Sequence, residues 1–512
     1  MQYAKARGFL ILAFVSMAVA LTANDAQAQY GTPSTAIGLA RNLSADPNAP
    51  RRDSAVTRVQ DPSTVSAPPT IPGSGAVEPV PAAPSLPKSE AVEEGLSKPR
   101  ADKSGGGAEA PAAEVAAEPE KPDTNLLMKF LGKSDSKYKV YGWIQNSFTG
   151  NANGPGRTKQ NFGVNPNSQA NRWMGNQYYL IFEKTLEQDD TINFGYRVDN
   201  LFGHDWVFNH EHGFLDTQNR PGRFAGYDMA QAYAEVHLPV LTKGGMDIKG
   251  GRFYTLAGYE VVPATGRPLL SVPYMFNYGQ PFTHFGALST LHVTDKLNVY
   301  NGIINGWDRW INNTYKWGYI GGFSWTFNND KTSLATTIIA GPQQFPHYLP
   351  INTAIQPTGT PVVPPQFAGR RNYSYAANDR TIVTTVLSHK WNDKLTQVLE
   401  TDQAFEANVP FLGPNGTRHN AEWQSFGNWF LYSFTDKFTG VWRSEVFRDN
   451  NGVRTGFADN YYEFTVGGIY KPKPWLWVRP EARYDWAQFN RPFKDGTRGS
   501  QFTLGFDVIV LF

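Results

Sequence analysis

The chain has 512 residues, a formal net charge of +2 and no cysteine. That excludes a disulfide scaffold, a thiolate zinc site and a lipid-anchored N-terminal cysteine, and it implies no nucleic-acid partner. Aromatics make up 14% of the residues at a mean hydropathy of −0.43, which suits strands with one wet and one lipid-facing side and argues against a bundle of apolar helices.

Lys5 and Arg7 precede an apolar run from Gly8 to Leu21, and Ala26-Gln27-Ala28 is a small-x-small cleavage site. The pattern predicts a signal peptide over 1–28, removed before Gln29. The run is shorter than the ~20 residues of a spanning helix. Residues 29–124 are rich in Ala, Pro, Ser, Glu and Gly and nearly free of aromatics after Tyr30. Such a segment cannot bury enough apolar surface to offset the cost of ordering. It is expected to be a disordered periplasmic tail, acting as a spacer or a cell-wall contact. The linker 125–137 contains NLLMKFLG, which predicts a short amphipathic turn of helix.

From Tyr138 to Phe512 strand-like runs of about ten residues recur. Ile192, Phe194, Tyr196 and Val198 alternate with Asn193, Gly195, Arg197 and Asp199. Ala230, Ala232, Ala234, Val236 and Leu238 alternate with Gln231, Tyr233, Glu235 and His237. Leu476, Val478, Ala482, Tyr484 and Trp486 alternate with Arg479, Glu481, Arg483 and Asp485. Each run has one apolar and one polar face. Seven connections are short and built from Asn, Asp, Gly, Lys and Pro, such as EQDD, NNDK and KPKP. Eight longer ones lie between them, at about 149–175, 202–227, 255–281, 308–316, 341–379, 408–420, 448–460 and 488–499. Their alternation predicts an all-β fold, a transmembrane antiparallel up-and-down β-barrel of about 16 strands with short periplasmic turns and long external loops. The last stretch, GSQFTLGFDVIVLF, sends Phe502, Leu504, Phe506, Val508, Val510 and Phe512 to one face. It looks like the closing strand of a bacterial outer-membrane barrel, whose terminal aromatic is commonly read by the barrel-assembly machinery. Trp391, Trp475 and Trp477, near turns, are expected at the membrane interfaces.

YGWIQNSFTGN, NQYYLIFEKTL, YRVDNLFG, AYAEVHLP, GGRFYTLAGYEVVPA, FNYGQPFTHFGAL and NGIINGWD together resemble the putative beta-barrel porin 2 family. The similarity runs from about Tyr138 to Phe512. It implies an outer-membrane porin of a Gram-negative-type bacterium, embedded in outer-membrane lipid and passing small hydrophilic solutes. Trimers are common among similar porins. The alternative is a structural or adhesive barrel plugged by its loops.

A charge facing lipid near the midplane costs ~2–4 kcal/mol, so the polar rows are expected to line the pore. They carry Arg197, Asp199, Glu235, His237, Asp247, Lys249, Arg443, Glu445, Arg479, Glu481, Arg483 and Asp485. The loop Thr255 to Pro281 is poor in charge and rich in Pro, with Tyr259, Tyr274, Phe276 and Tyr278. It is expected to fold inward and narrow the lumen. GHDWVFNHEHGFLD holds His204, His210 and His212 as weak candidate metal ligands beside Asp205, Glu211 and Asp216; the simpler expectation is a solvated external loop. No zincin, G-x-S-x-G or P-loop pattern occurs, and Ser388 and His389 fall on opposite strand faces. Neither catalytic residues nor a cofactor are expected.

Overall fold

The computed structural model describes residues 126–134, 136–211, 214–215, 225–311, 316–342, 379–409 and 418–512. The expected leader and tail over 1–124 lie outside them, as does His212.

The alternating runs form strands β1 (Tyr138–Asn151), β2 (Arg172–Lys184), β3 (Asn193–Gly203), β4 (Gly226–Leu238), β5 (Met246–Tyr254), β6 (Thr283–Thr294), β7 (Leu297–Ile304) and β8 (Gly318–Phe327). The second half holds β9 (Thr332–Pro342), β10 (Asp379–Lys390), β11 (Leu395–Val409), β12 (His419–Thr435), β13 (Phe438–Asp449), β14 (Asp459–Lys473), β15 (Leu476–Ala487) and β16 (Ser500–Leu511). Each strand pairs with its sequence neighbours, and β1 pairs with β16 to close the barrel. At that seam Trp143 lies opposite Leu511 and Phe148 opposite Phe506, antiparallel. Closure leaves no unpaired sheet edge, which is what a bilayer demands of strands. One helical turn, Leu126–Phe130, precedes β1 and buries Met128.

Short turns and long loops alternate around the barrel, and both described ends of the sheet lie on the short-turn side. The turn between β8 and β9 places Asn328, Asn329 and Asp330 in succession at φ 58°, 52° and 63°. Asn and Asp tolerate this left-handed region better than other non-glycine residues, and that explains NND there.

Burial is inverted relative to a soluble protein. In β16, Leu504, Phe506 and Val510 are exposed, while Gln501, Thr503 and Asp507 are buried. The outer rows hold cross-strand aromatic pairs: Trp442 with Phe464 at 5.6 Å and Tyr462 with Trp486 at 5.0 Å between ring centroids. Pairs of this kind add about 0.5–1.5 kcal/mol each. Outward amides are not left bare. Tyr178 donates its hydroxyl to Asn146 (3.1 Å), Tyr227 to Asn200 (2.7 Å) and Tyr319 to Asn301 (3.0 Å). A tyrosine from the neighbouring strand thus satisfies the carbonyl oxygen of each of these three amides.

Two expectations are corrected. Ala230 is fully buried and does not join the outer row, because the β3–β4 register shifts between Asp199 and Leu201 and flips the phase of β4. Trp477 is also buried, on the inner face beside Arg479; Lys471 sits 4.1 Å from its ring centroid. Trp391, by contrast, is 58% exposed at its turn.

Candidate functional site

The inner rows meet a long insertion inside the barrel. Residues 255–282, between β5 and β6, turn into the lumen. Pro263 and Pro273 each precede a short turn, Ala264–Gly266 and the wider helical turn Met275–Gly279. Leu269, Leu270, Val272, Tyr274 and Met275 are wholly buried, and Tyr259, Phe276 and Tyr278 nearly so. The loop's neck depends on Gly258 at φ 89°, where a Cβ would stand 2.3 Å from the Gln280 Oε1. No other residue allows that approach together with that φ.

The wall holds the loop by its backbone. Tyr259 N–H donates to Glu400 of β11 (3.0 Å), and Gln280 Nε2 donates to Glu400 and to Asp402 (2.9 Å). Tyr274 and Met275 N–H both donate to Glu445 of β13, at 2.6 and 2.5 Å. Ser271 N–H donates to Glu481 of β15 at 3.0 Å. Arginines take the carbonyls: Arg443 that of Ser271, Arg479 those of Ala264 and Arg267, Arg483 that of Val272. Trp429 of β12 donates to Glu260 (3.1 Å), which also accepts from Arg443 (3.0 Å). Thr337 of β9 donates to the Leu256 carbonyl at 2.9 Å, and Gln177 of β2 to that of Val262 at 2.7 Å. Strands β2 and β9 stand on nearly opposite sides of the ring, so the loop crosses the whole lumen.

Its apolar side chains complete a dry core within the barrel. Leu256, Tyr259, Leu269, Tyr274 and Met275 pack with inward Ile320, Ile339, Ile382, Val398, Trp423 and Phe447. Tyr259 meets the Trp429 ring edge-on at 5.1 Å, and Phe276 lies 5.1 Å from Phe282. The first long loop joins in. Asn165 donates to Asn277 at 2.6 Å, and Phe162 lies 6.2 Å from Tyr278.

The eleven charged residues of the polar rows and His237 all point inward, in two groups. Arg443, Glu445, Arg479, Glu481, Arg483 and Asp485 touch the loop or each other. Arg197, Asp199, Glu235, His237, Asp247 and Lys249 lie on β3–β5, toward the short-turn side. Among them Arg197 bonds Asp199 at 2.8 Å, His237 bonds Asp247 at 2.6 Å, and Lys249 stands opposite Glu235 in register with its Nζ 4.3 Å from the Tyr233 ring centroid.

The His-containing stretch is not a solvated loop, which corrects the simpler expectation. Asp205, Phe208, Asn209 and Glu211 are buried, and Asp205 accepts from Asn176 (2.9 Å), Gln177 (2.8 Å) and Arg267 (3.3 Å). Burial pushes the Glu211 carboxyl up to about 7, against the pull of Arg252. His204 faces Ser168 at 3.4 Å, and His210 lies edge-on to Trp206. Among the described residues no group of three potential ligands is placed to hold a metal.

Sequence reasoning missed Glu400, Asp402 and Glu463; Asp507 falls on the polar face that the alternation of the last strand predicts. In β11 the outer row carries Thr401 and Gln403, so the alternation there is weak. The apolar run Trp206-Val207-Phe208 was the available signal that the second long loop is buried.

Three solved structures are similar to this chain. These are the channel DcaP of Acinetobacter baumannii (9% identity, 73% of this chain and 97% of that one, TM-score 0.48), an anion-selective porin from Comamonas acidovorans (10%, 73% and 99%, 0.47) and OprB of Pseudomonas putida (12%, 75% and 97%, 0.46). No curated protein matches the chain. The family model described as "Putative beta-barrel porin-2, OmpL-like" matches residues 137–512. The chain therefore belongs to that family of outer-membrane porins.

Proposed function

We propose that the protein is a passive diffusion pore for small hydrophilic solutes and that residues 255–282 form its gate. One observation carries the reading: the loop spans the lumen from β2 to β9, held by polar side chains that a hydrated passage would also use. The loop's side chains are buried where it crosses the lumen, and on this reading it obstructs the barrel, so that passage requires it to shift. Tyr259, Tyr274, Phe276 and Tyr278 form the closure, and the twelve inward polar-row residues wet the passage once it opens. A loop that crosses the lumen also suits a plugged structural or adhesive barrel. Liposome swelling in neutral sugars separates the two: swelling that falls with sugar size supports the pore, and none from assembled barrels supports the plug.

The tail preceding the barrel is read as periplasmic, because the described chain enters β1 on the short-turn side. The outer wall is uneven. Ala232, Ala234, Gly250, Ala287, Ser289 and Asn301 give β4–β7 a small, polar surface, whereas β12–β16 carry Phe426, Trp442, Phe464, Tyr484 and Phe506. Small residues permit close approach of a second wall, so β4–β7 is the face for subunit contact in a homotrimer. Cross-linking from Asn301→Cys, the chain's single thiol, tests it: a dimer band supports the contact, and purely monomeric product rejects it.

A further inference from the structure

At the depth of the inner loop the wall carries more acid than base. Arg443 bonds Glu463 at 3.0 Å, Arg479 bonds Asp507, and Arg483 bonds Asp485 at 2.7 Å. Each of those three carboxylates thus has its own guanidinium. Glu400, Asp402, Glu445 and Glu481 do not. All four are buried, and among the described residues none has a Lys, Arg or His nitrogen within ion-pair reach. Their partners are neutral. Peptide N–H groups of Tyr259, Ser271, Tyr274 and Met275, the Gln280 amide and the Ser425 hydroxyl supply the hydrogen bonds.

The loop itself does not rebalance the wall. Its Glu260 shares Arg443 with Glu463, which adds acid and no base, and its Arg267 is matched by Asp205 of the second long loop. Toward the outer mouth Arg380 is matched by Glu406 at 2.6 Å. Arg454, pulled down to about 9 by burial and by Arg380, also feels Asp449, whose oxygens accept the N–H groups of Val453, Arg454 and Thr455. Arg454 Nε also donates to the Tyr278 carbonyl of the inner loop at 2.5 Å, but it forms no ion pair with any of the four carboxylates.

We infer that these four carboxylates make the open passage prefer positively charged solutes, metal cations and protonated amines. Peptide dipoles satisfy the carboxylates while the loop is seated, but they bring no net charge. When the loop shifts, the same oxygens face water with their full charge, and cations take the positions the N–H groups leave. A wall potential of about one kT, modest for a lumen lined by one sign, enriches cations and depletes anions for a preference of about sevenfold.

The inference rests on the pore reading above, and its test separates the two. Zero-current potentials are measured for the full-length protein in planar bilayers across a KCl gradient. The expected result is K+ over Cl− by about sevenfold. A variant carrying Glu400→Gln, Asp402→Asn, Glu445→Gln and Glu481→Gln removes the four charges; Asp402 and Glu481 each accept through one oxygen and keep it as an amide, while Glu400 and Glu445 each give up one of two accepting oxygens. It is expected to assemble as a heat-modifiable barrel whose ratio falls to near one. If the combined variant does not assemble, Asp402→Asn with Glu481→Gln, each of which keeps its accepting oxygen, is expected to lower the ratio part of the way. Openings that favour Cl− or neither ion overturn the inference and leave the pore standing. So does a cation preference unchanged by neutralisation. No conductance at all removes the pore reading and this inference together.

Discussion

Replacing Val261 to Asn277 with a short Gly/Ser linker is the perturbation with the largest expected effect. Sixteen strands ~4.8 Å apart and tilted ~40° close into a circumference of about 100 Å and a backbone radius of about 16 Å. Allowing ~5 Å for inward side chains leaves an unobstructed radius of about 11 Å. A passage beside a partly displaced loop, wide enough for a hydrated ion, has a radius of ~3–4 Å and about a tenth of that cross-section. Conductance scales with cross-section, so the replacement should raise the single-channel step about tenfold and turn intermittent opening into steady current. The segment removed contains Leu269, Leu270, Val272, Tyr274 and Met275, all without solvent exposure, and the acceptors Ser271 and Val272 that hold Arg443 and Arg483. The strands keep their own ladders and remain closed through β1 and β16. The assay is planar-bilayer recording on protein whose heat-modifiable mobility shows an assembled barrel. An unchanged step in such protein would refute the reasoning and place the constriction elsewhere.

Three further outcomes follow from the same geometry. Phe506→Arg puts a charge on the lipid face of β16 at ~2–4 kcal/mol and should sharply lower outer-membrane yield, while Phe506→Leu should leave it normal; equal yields would mean the register is wrong. Trp429→Ala removes a fully buried ring under Tyr259 together with the donor to Glu260, a loss of ~3–5 kcal/mol, and should raise open probability and lower the temperature of heat modification. Glu211 has a folded-state value of about 7 against ~4.3 unfolded, so its contribution to seating the second long loop is full below the unfolded value and fades as pH rises through about 7. Limited proteolysis of the outer loops should therefore quicken over that range in the wild type and stay flat in Glu211→Gln; the same pH trend in both would exclude Glu211 as its source.

Much of the fold was legible because a barrel writes its architecture in a period of two. Phe506 against Thr503, and Trp486 against Asp485, each declare a face, and turn formers mark every short connection. Periodicity says which way a side chain points but not what stands opposite it. That Arg479 reaches the carbonyls of Ala264 and Arg267, or that Glu445 receives two loop N–H groups, depends on how residues 255–282 fold across the lumen. No local pattern encodes that path. The inward course of the loop itself was readable, since PLLSVPYMFNY is too apolar for open solvent. The burial of the second long loop was overlooked because its His and Asp residues drew attention from Trp206-Val207-Phe208. Trp477 misled for a related reason: a tryptophan beside a turn suits the interface belt and the inner face equally, and only the register with Ile509 decides.

The central claim, that the inner loop gates an otherwise open barrel, is tested most directly by single-channel recording on the full-length protein. The expected trace is a closed baseline broken by discrete small openings, with steady large current once Val261 to Asn277 are replaced. A full-length protein that already conducts steadily at the level of the replaced one would contradict the claim, as would assembled barrels that stay silent in both forms.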